Sequence, residues 1–280
     1  MKKPDWLRIP YNENTNNLFV SELLEELKIN TVCEEADCPN RNECYSKKTA
    51  TFMILGTVCT RKCTFCNVRF GTPEAVEIDE PDRIAVAVKK LNLKYVVITS
   101  VTRDDLPDGG AGHFAAVISS IRKHSPETVI EVLIPDLSDI TKLIYESPVV
   151  ISHNMETVKS LYPDVRPGAD YERSLKVLKH VKALDPNIYT KSGLMLGLGE
   201  TRDEVIKVLD DLLNVGCEFL TIGQYLSPSK NHFPVHEYIE PHVFDEYAKT
   251  AKKMGFRYTA SAPLVRSSYN ASEAIKKQYC

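Results

Sequence analysis

The chain has 280 residues, 43% hydrophobic and 26% charged, the composition of an ordinary globular protein able to bury a core without disulfide staples. Its formal net charge of −3 speaks against general affinity for nucleic acid, which needs a basic surface. No apolar run reaches the about 18 residues needed to cross a bilayer, and no apolar stretch follows the opening lysines; the expectation is no membrane association, no secretory signal and a cytoplasmic location.

The first 48 residues read as an extension that carries CEEADCPNRNEC, with Cys33, Cys38 and Cys44. The first predicted strand is ATFMILG (50–56), and the loop after it holds Cys59, Cys63 and Cys66. A predicted helix, DRIAVAVKKLN (82–92), leads to the strand YVVITSV (95–101). The helix HFAAVISSIRKH (113–124) then leads to the strand VIEVLIP (129–135). After the strand VVISHN (149–154) comes the helix DYERSLKVLKHVKAL (170–184), then the strand YTKSGLMLG (189–197). The helix TRDEVIKVLDDLLNVG (201–216), opened by Glu200 and Thr201 and closed by Gly216, precedes the strand EFLTIGQYL (218–226). These strands are near-continuous apolar runs, the pattern of strands buried on both faces of a parallel sheet. Alternating β and α units give a parallel α/β fold with right-handed crossovers. About six units are too few for a complete eight-stranded barrel. An open partial barrel and a doubly wound sheet both fit. Residues 263–280 read as a C-terminal tail.

Six of the eight cysteines lie between positions 33 and 66. In a reducing compartment, clustered cysteines more often hold metal than form disulfides. Cys59, Cys63 and Cys66 form a CxxxCxxC pattern directly after a strand, where active sites of parallel α/β folds sit. Three thiolates in one short loop can hold three irons of a [4Fe–4S] cube and leave the fourth open. Structural zinc sites usually pair CxxC with a second CxxC or two histidines, and this loop has neither. The upstream CxxxxCxxxxxC also supplies three cysteines, so a fourth ligand must come from elsewhere: Cys217, Cys280 or an oxygen.

CxxxCxΦC, with Phe65 as the aromatic residue, resembles the signature of the radical S-adenosylmethionine superfamily. The two triplets in this order resemble the lipoyl synthase family within it. RSSY (266–269), KPDWL (3–7), TSVTRDDLPDGGA (99–111), SHNMET (152–157), GLMLGLGE (193–200) and GQYLSPS (223–229) extend the resemblance from about Lys3 to Tyr269. It implies a partial (β/α)6 TIM-like barrel over 49–262, with the extension 1–48 and the tail 263–280 added to it. It implies two [4Fe–4S] clusters, S-adenosylmethionine bound at the open iron, and Ser268 as fourth ligand of the auxiliary cluster. The implied reaction inserts two sulfur atoms at C6 and C8 of a protein-bound octanoyl-lysine, the auxiliary cluster being the donor. Implied partners are an octanoylated lipoyl carrier domain or H-protein, a low-potential electron donor and an iron–sulfur cluster carrier. The alternatives are a radical S-adenosylmethionine enzyme with an electron-transfer auxiliary cluster, and a non-catalytic zinc-binding α/β protein.

Biotin synthase, a related radical sulfur-insertion enzyme, has an Asn-x-acid element that resembles Asn154 and Glu156 and contacts the ribose. Positions i and i+2 of an extended segment face the same way, so both side chains can reach a diol; a capping turn is the plainer reading. Arg173 resembles a carboxylate-binding arginine of these relatives, although an arginine on an amphipathic helix is more often solvated. The glycines of GLMLGLGE permit close backbone approach to a ligand. Asp108-Gly109-Gly110 reads either as a cofactor-facing loop or as a plain turn. Cys217 reads as a small buried hydrophobe and Cys280 as a non-ligating thiol. Ser267 receives no role, and its replacement by alanine is expected to be mild.

Overall fold

The computed structural model describes residues 2–9, 15–137 and 139–276. Cys280 lies outside the described residues. The chain divides into two units, one made of residues 9–61 and 67–150 and the other of residues 1–8, 62–66 and 151–280.

In the first unit the apolar run at 51–54 forms a strand, Thr51–Ile54, buried at all four positions. It pairs in parallel with Tyr95–Ser100, which pairs in parallel with Val129–Leu133; Thr51 stands opposite Val97 and Tyr95 opposite Val129. The two-residue strand Asn30–Thr31 pairs antiparallel on the other side of Thr51–Ile54, so the cysteine-bearing segment is stitched to the sheet edge. Helices Glu80–Lys90 and Ala111–His124 connect the parallel strands. The first of these has acids and a proline in its opening turn and Lys89 and Lys90 in its last, complementing the helix dipole at both ends.

In the second unit Tyr189–Leu196, Phe219–Gln224 and Tyr258–Ser261 pair in parallel in that order. Helices Tyr171–Leu184, Arg202–Asn214 and Pro241–Met254 supply the crossovers. Thr201 and Glu204 close a reciprocal capping box at the start of Arg202–Asn214, as the run TRDE suggests. The core joins Leu194, Leu196, Val205, Leu209, Ile222 and Phe244. A short strand, Val150–Ser152, falls at the division between the units.

All six strands expected from the sequence are present, in an α/β arrangement that is mostly parallel. Several elements went unread, among them the helix Thr15–Glu26 of the first unit and two elements of the second. The strand Tyr258–Ser261 is half-buried at every position and lacks the apolar run that betrays the others. The helix before it buries Phe244, Tyr247 and Ala251, a helical spacing legible in PHVFDEYAKTAKKM. Among the described residues no helix is long and apolar enough to cross a membrane.

Candidate active site

The loop of the second cysteine triplet starts in the first unit. Val58–Cys59 pairs in parallel with Arg69–Phe70, so the chain leaves and re-enters side by side, and the Gly71 N–H closes on the Cys59 carbonyl at 3.0 Å. The Cys59 sulfur accepts N–H groups from Arg61 and Thr102, each at 3.4 Å, the type of donor that stabilises an anionic metal thiolate. Thr60 binds the Thr102 carbonyl with both its N–H and its hydroxyl, each at 3.0 Å. Arg61 forks onto both oxygens of Asp104, at 2.9 and 2.8 Å, and also pairs with Asp136, whose side chain is buried. Hydrogen bonds from Arg61, more than any other influence, hold the Asp104 carboxyl below its ordinary pKa, and those to Asp104 push the guanidinium up. The guanidinium is thus a fixed pin two residues from Cys59. The pairing spans 43 and 75 residues of sequence, and reading the chain linearly gave no sign of it.

Cys63, Phe65 and Cys66 belong to the second unit. Thr64 donates its N–H to the Val165 carbonyl at 3.1 Å and its hydroxyl to the Asp164 carbonyl at 2.8 Å. Phe65 packs against Val165, Leu198 and Tyr225. The Phe233 N–H reaches the Thr64 carbonyl at 2.8 Å, and His232 Nε2 lies 3.2 Å from the Cys66 carbonyl. Both residues are half-buried and neither forms a disulfide.

The upstream triplet is held by local turns of the first unit. Thr31 caps the four-residue helix around Cys33 and hydrogen-bonds Tyr45 at 3.0 Å. The Cys38 N–H binds the Cys33 carbonyl at 3.0 Å, and Thr49 binds the Cys44 carbonyl through N–H and hydroxyl, each at 2.9 Å. Burial pushes the Cys33 thiol up to about 11 despite a hydrogen bond with Thr51, and Cys38 adds to the rise. Burial likewise pushes Cys44 up to about 12, with Cys33 and Cys38 next in effect, so the three sulfurs share one neighbourhood. Among the described residues no three His, Cys, Asp or Glu side chains are gathered to hold one metal ion. Thiolates on a cube each bind a different iron and need not converge on a point. Two soft three-thiol sets therefore fit two clusters in donor chemistry.

Asn154 and Glu156 lie side by side, although not on an extended segment. Asn154 Nδ2 donates to Glu156 Oε1 at 3.0 Å, and also to Ser267 Oγ at 2.8 Å. Glu156 is not extended: its φ is +66°, with its N–H on the Gly193 carbonyl at 2.9 Å and its carbonyl on the Met195 N–H at 2.8 Å. Burial raises the Glu156 pKa, opposed chiefly by the charge of Arg166 and then by Asn154, His153 and Arg266. Asn154 Oδ1 is buried without a hydrogen-bond partner. An orphaned acceptor beside a carboxylate suits the two donors of a ribose diol.

Arg166, unread in the sequence, supports this pair from behind. Its guanidinium donates to the carbonyls of Asn154 and Met155 at 3.0 and 3.2 Å and to the Tyr162 hydroxyl at 2.9 Å. Arg173, the arginine singled out from the sequence, lies exposed on Tyr171–Leu184. Ser268 sits half-buried in the turn closed by the Tyr269 N–H on the Arg266 carbonyl at 2.9 Å.

Among the glycines of 193–200, Gly197 lies tight against other parts of the protein. A Cβ at Gly197 would stand 2.3 Å from Gln224 Nε2 and from the Glu237 carbonyl oxygen, and its φ of +94° suits glycine alone. Glu200 accepts the N–H groups of Gly197 and Leu198 at 2.7 and 2.9 Å and fixes that turn. Asp108 likewise binds the N–H groups of Gly110 and Gly112, each at 2.9 Å, at the start of Ala111–His124; this is the turn reading of Asp108-Gly109-Gly110. Cys217 is buried, its thiol pushed up to about 12 by burial, as a small hydrophobe should be.

The Radical SAM superfamily profile matches residues 53–212. A lipoyl synthase of Caldicellulosiruptor saccharolyticus is 61% identical over 279 residues, covering 98% of this chain and 98% of that protein. One of Alkaliphilus metalliredigens is 55% identical over 280 residues, covering 99% and 97%. Among solved structures, Streptococcus suis SuiB bound to S-adenosylmethionine superposes with a TM-score of 0.60 at 11% identity. The match covers 79% of this chain and 54% of SuiB, a likeness of fold alone.

Proposed function

The chain belongs to the lipoyl synthase family of the radical SAM superfamily, and from that premise we propose how its residues divide the chemistry. It is a radical SAM enzyme that inserts sulfur, uses S-adenosylmethionine and [4Fe–4S] clusters, and acts on a lipoyl-carrier protein. When bound, these groups supply the radical that removes hydrogens from C6 and C8 of an octanoyl chain and the sulfur that replaces them.

In our reading Cys59, Cys63 and Cys66 hold the cluster whose open iron takes S-adenosylmethionine. Cys33, Cys38 and Cys44, with Ser268, hold the auxiliary cluster that is the sulfur donor. The observation that carries this division is the Cys59 sulfur with its two backbone N–H donors, beside the pinned Arg61. Asn154 and Glu156 accept the ribose hydroxyls. Phe65 fixes the loop by packing on Val165, Leu198 and Tyr225. Arg173, exposed as it stands, is assigned to the cofactor carboxylate on resemblance alone. In this assignment residues 1–48 carry the auxiliary cluster, 49–262 the radical chemistry and 263–280 the tail ligand. Octanoyl-lysine on a lipoyl domain or H-protein is the proposed substrate. A low-potential electron donor and an iron–sulfur cluster carrier complete the cycle. A cytoplasmic setting, where thiols stay reduced and available to metal, is part of this reading.

The test is anaerobic turnover of the reconstituted enzyme with an octanoylated H-protein, followed by mass spectrometry. Two sulfur atoms gained per carrier, at the expense of enzyme sulfide, are expected. An unmodified carrier alongside 5′-deoxyadenosine would favour an electron-transfer role for the auxiliary cluster.

A further inference from the structure

The tail motif reaches the nucleoside site through a residue that no ligand assignment uses. Asn154 Nδ2 has two hydrogens; Glu156 Oε1 takes one at 3.0 Å and Ser267 Oγ takes the other at 2.8 Å. The charges of Arg166 and Arg266 oppose the effect of burial on Glu156; with the carboxylate so held as an acceptor, it fixes which end of the amide is nitrogen. Both donors are then spent inside the protein, and the amide presents only Oδ1, which is buried and has no partner. Gly193 makes room for that oxygen: a Cβ there would stand 2.9 Å from it. The charge of Arg266, next in sequence to Ser267, also acts on Glu156.

We propose that Ser267 is a positioning residue for S-adenosylmethionine. By taking the second amide hydrogen of Asn154, it holds Oδ1 and the Glu156 carboxylate as an all-acceptor pair for the ribose diol. This rests on the assignment of Asn154 and Glu156 to the ribose. Without the Ser267 hydroxyl, one amide hydrogen is left without an acceptor, and a half-turn of the amide costs less. The donor end then faces where the acceptor belongs, and a diol loses one of its two hydrogen bonds. Ser267 precedes Ser268, so seating the tail and ordering the nucleoside site become one event. Three consecutive residues divide the work: Arg266 and Ser267 serve the Asn154–Glu156 pair, and Ser268 is the proposed auxiliary ligand.

The experiment uses the reconstituted holoenzyme and anaerobic equilibrium dialysis with S-adenosylmethionine and with uncleavable S-adenosylhomocysteine. Ser267→Ala should weaken both by about fivefold to tenfold, the size of one ordinary hydrogen bond. KM for S-adenosylmethionine should rise in parallel, kcat for 5′-deoxyadenosine should change less than twofold, and iron content should stay at about eight per chain. Ser267→Thr, which keeps the hydroxyl, should restore binding. Asn154→Ala combined with Ser267→Ala should be no worse than Asn154→Ala alone, because the serine acts through the asparagine. Wild-type binding by Asn154→Ala would remove the ribose assignment and this inference with it. Weak binding by Asn154→Ala beside wild-type binding by Ser267→Ala would overturn the inference and leave the ribose assignment standing. Full additivity in the double variant, or loss of iron in Ser267→Ala, would overturn it by placing the serine's effect elsewhere.

Discussion

The two cysteine triplets look alike in sequence, yet the chain holds them by different means. Around Cys59 the backbone is pinned by charge: Arg61 joins Asp104 and Asp136, and Thr60 joins Thr102. Around Cys33, Cys38 and Cys44 the ion pair is Lys47–Glu43, exposed and local to the short helix Arg41–Ser46. Short helical turns, the Thr31 cap and the Thr31–Tyr45 hydrogen bond hold them, and neighbouring sulfurs add to the raised pKa of Cys33 and Cys44. The contrast matches the proposed roles. A cluster that must return to the same geometry every turnover gains from anchors outside its own ligands. A cluster that is spent gains from a site the chain can open and refill.

The largest expected effects break this comparison outright. Replacing Cys59, Cys63 or Cys66 with alanine should abolish 5′-deoxyadenosine formation, assayed by chromatography after anaerobic reduction. The triple alanine variant of Cys33, Cys38 and Cys44 should keep one cluster and still make 5′-deoxyadenosine, while inserting no sulfur. Lipoyl product at the wild-type rate from that variant would show that the upstream cluster is not the donor. Ser268→Ala should assemble both clusters, since three thiolates hold each, yet lose lipoyl formation; Ser268→Cys should tighten that corner with a softer ligand and impair delivery as well.

Next comes the pin itself. Asp136 has a buried side chain and Asp104 a half-exposed one, although both face the same guanidinium. Asp136→Ala strips a mostly buried cation of a buried partner and should destabilise the protein by about 3 kcal/mol. Asp104→Ala should cost about 1 kcal/mol or less, because solvent screens that side. Thermal melts of the reconstituted proteins, with iron lost on gel filtration as a second readout, check the order; equal losses would mean that the fork on Asp104, not burial, sets the strength. The Asp104 pKa is lowered in the folded state, so its contribution is complete above the ordinary carboxylate range near about 4 and is lost as pH falls through the lowered value. Between pH 6 and 8 the pin should therefore be insensitive to pH.

How much of this was legible follows from which forces act locally. Six strands stood out because burial on both faces demands unbroken apolar runs such as YVVITSV. Tyr258–Ser261, half-buried throughout, carries no such run and was invisible for that reason. Cysteine spacing announced both triplets, because three ligands in one short segment are legible locally, whereas a distant one such as Ser268 is not. The Arg61 pin and the Arg166 support depend on partners brought together by folding, and no local pattern encodes them. Nothing in the run RSSY distinguishes Ser267 as more than the neighbour of Ser268; the fold places its hydroxyl on Asn154. At Gly193 and Gly197 the close approach that the glycines allow is to groups of the protein, which a linear reading does not show.

The smallest effect expected concerns Gly193, on the radical-generating side of the comparison. It lies within the strand Tyr189–Leu196, where an added Cβ would meet Thr221 Oγ1 at 2.8 Å and Asn154 Oδ1 at 2.9 Å. The two neighbours differ in how far they can yield. The Thr221 hydroxyl makes one long hydrogen bond, to the Ser192 carbonyl at 3.4 Å, and a rotamer change relieves it. Asn154 is tied at its nitrogen end to both Glu156 and Ser267, so pressure on its oxygen shifts the whole amide. Overpacking costs about 1–3 kcal/mol, and replacing glycine within a strand returns about 0.5–1 kcal/mol. Gly193→Ala should therefore destabilise the fold by about 1 kcal/mol, read from a thermal melt, and raise KM for S-adenosylmethionine about fivefold. Thr221→Ala added to it should recover part of the stability, because one clash is gone, but none of the cofactor affinity, because the other remains. If the second substitution restored both, the strain would run through Thr221, and Asn154 would be softer than its two hydrogen bonds imply.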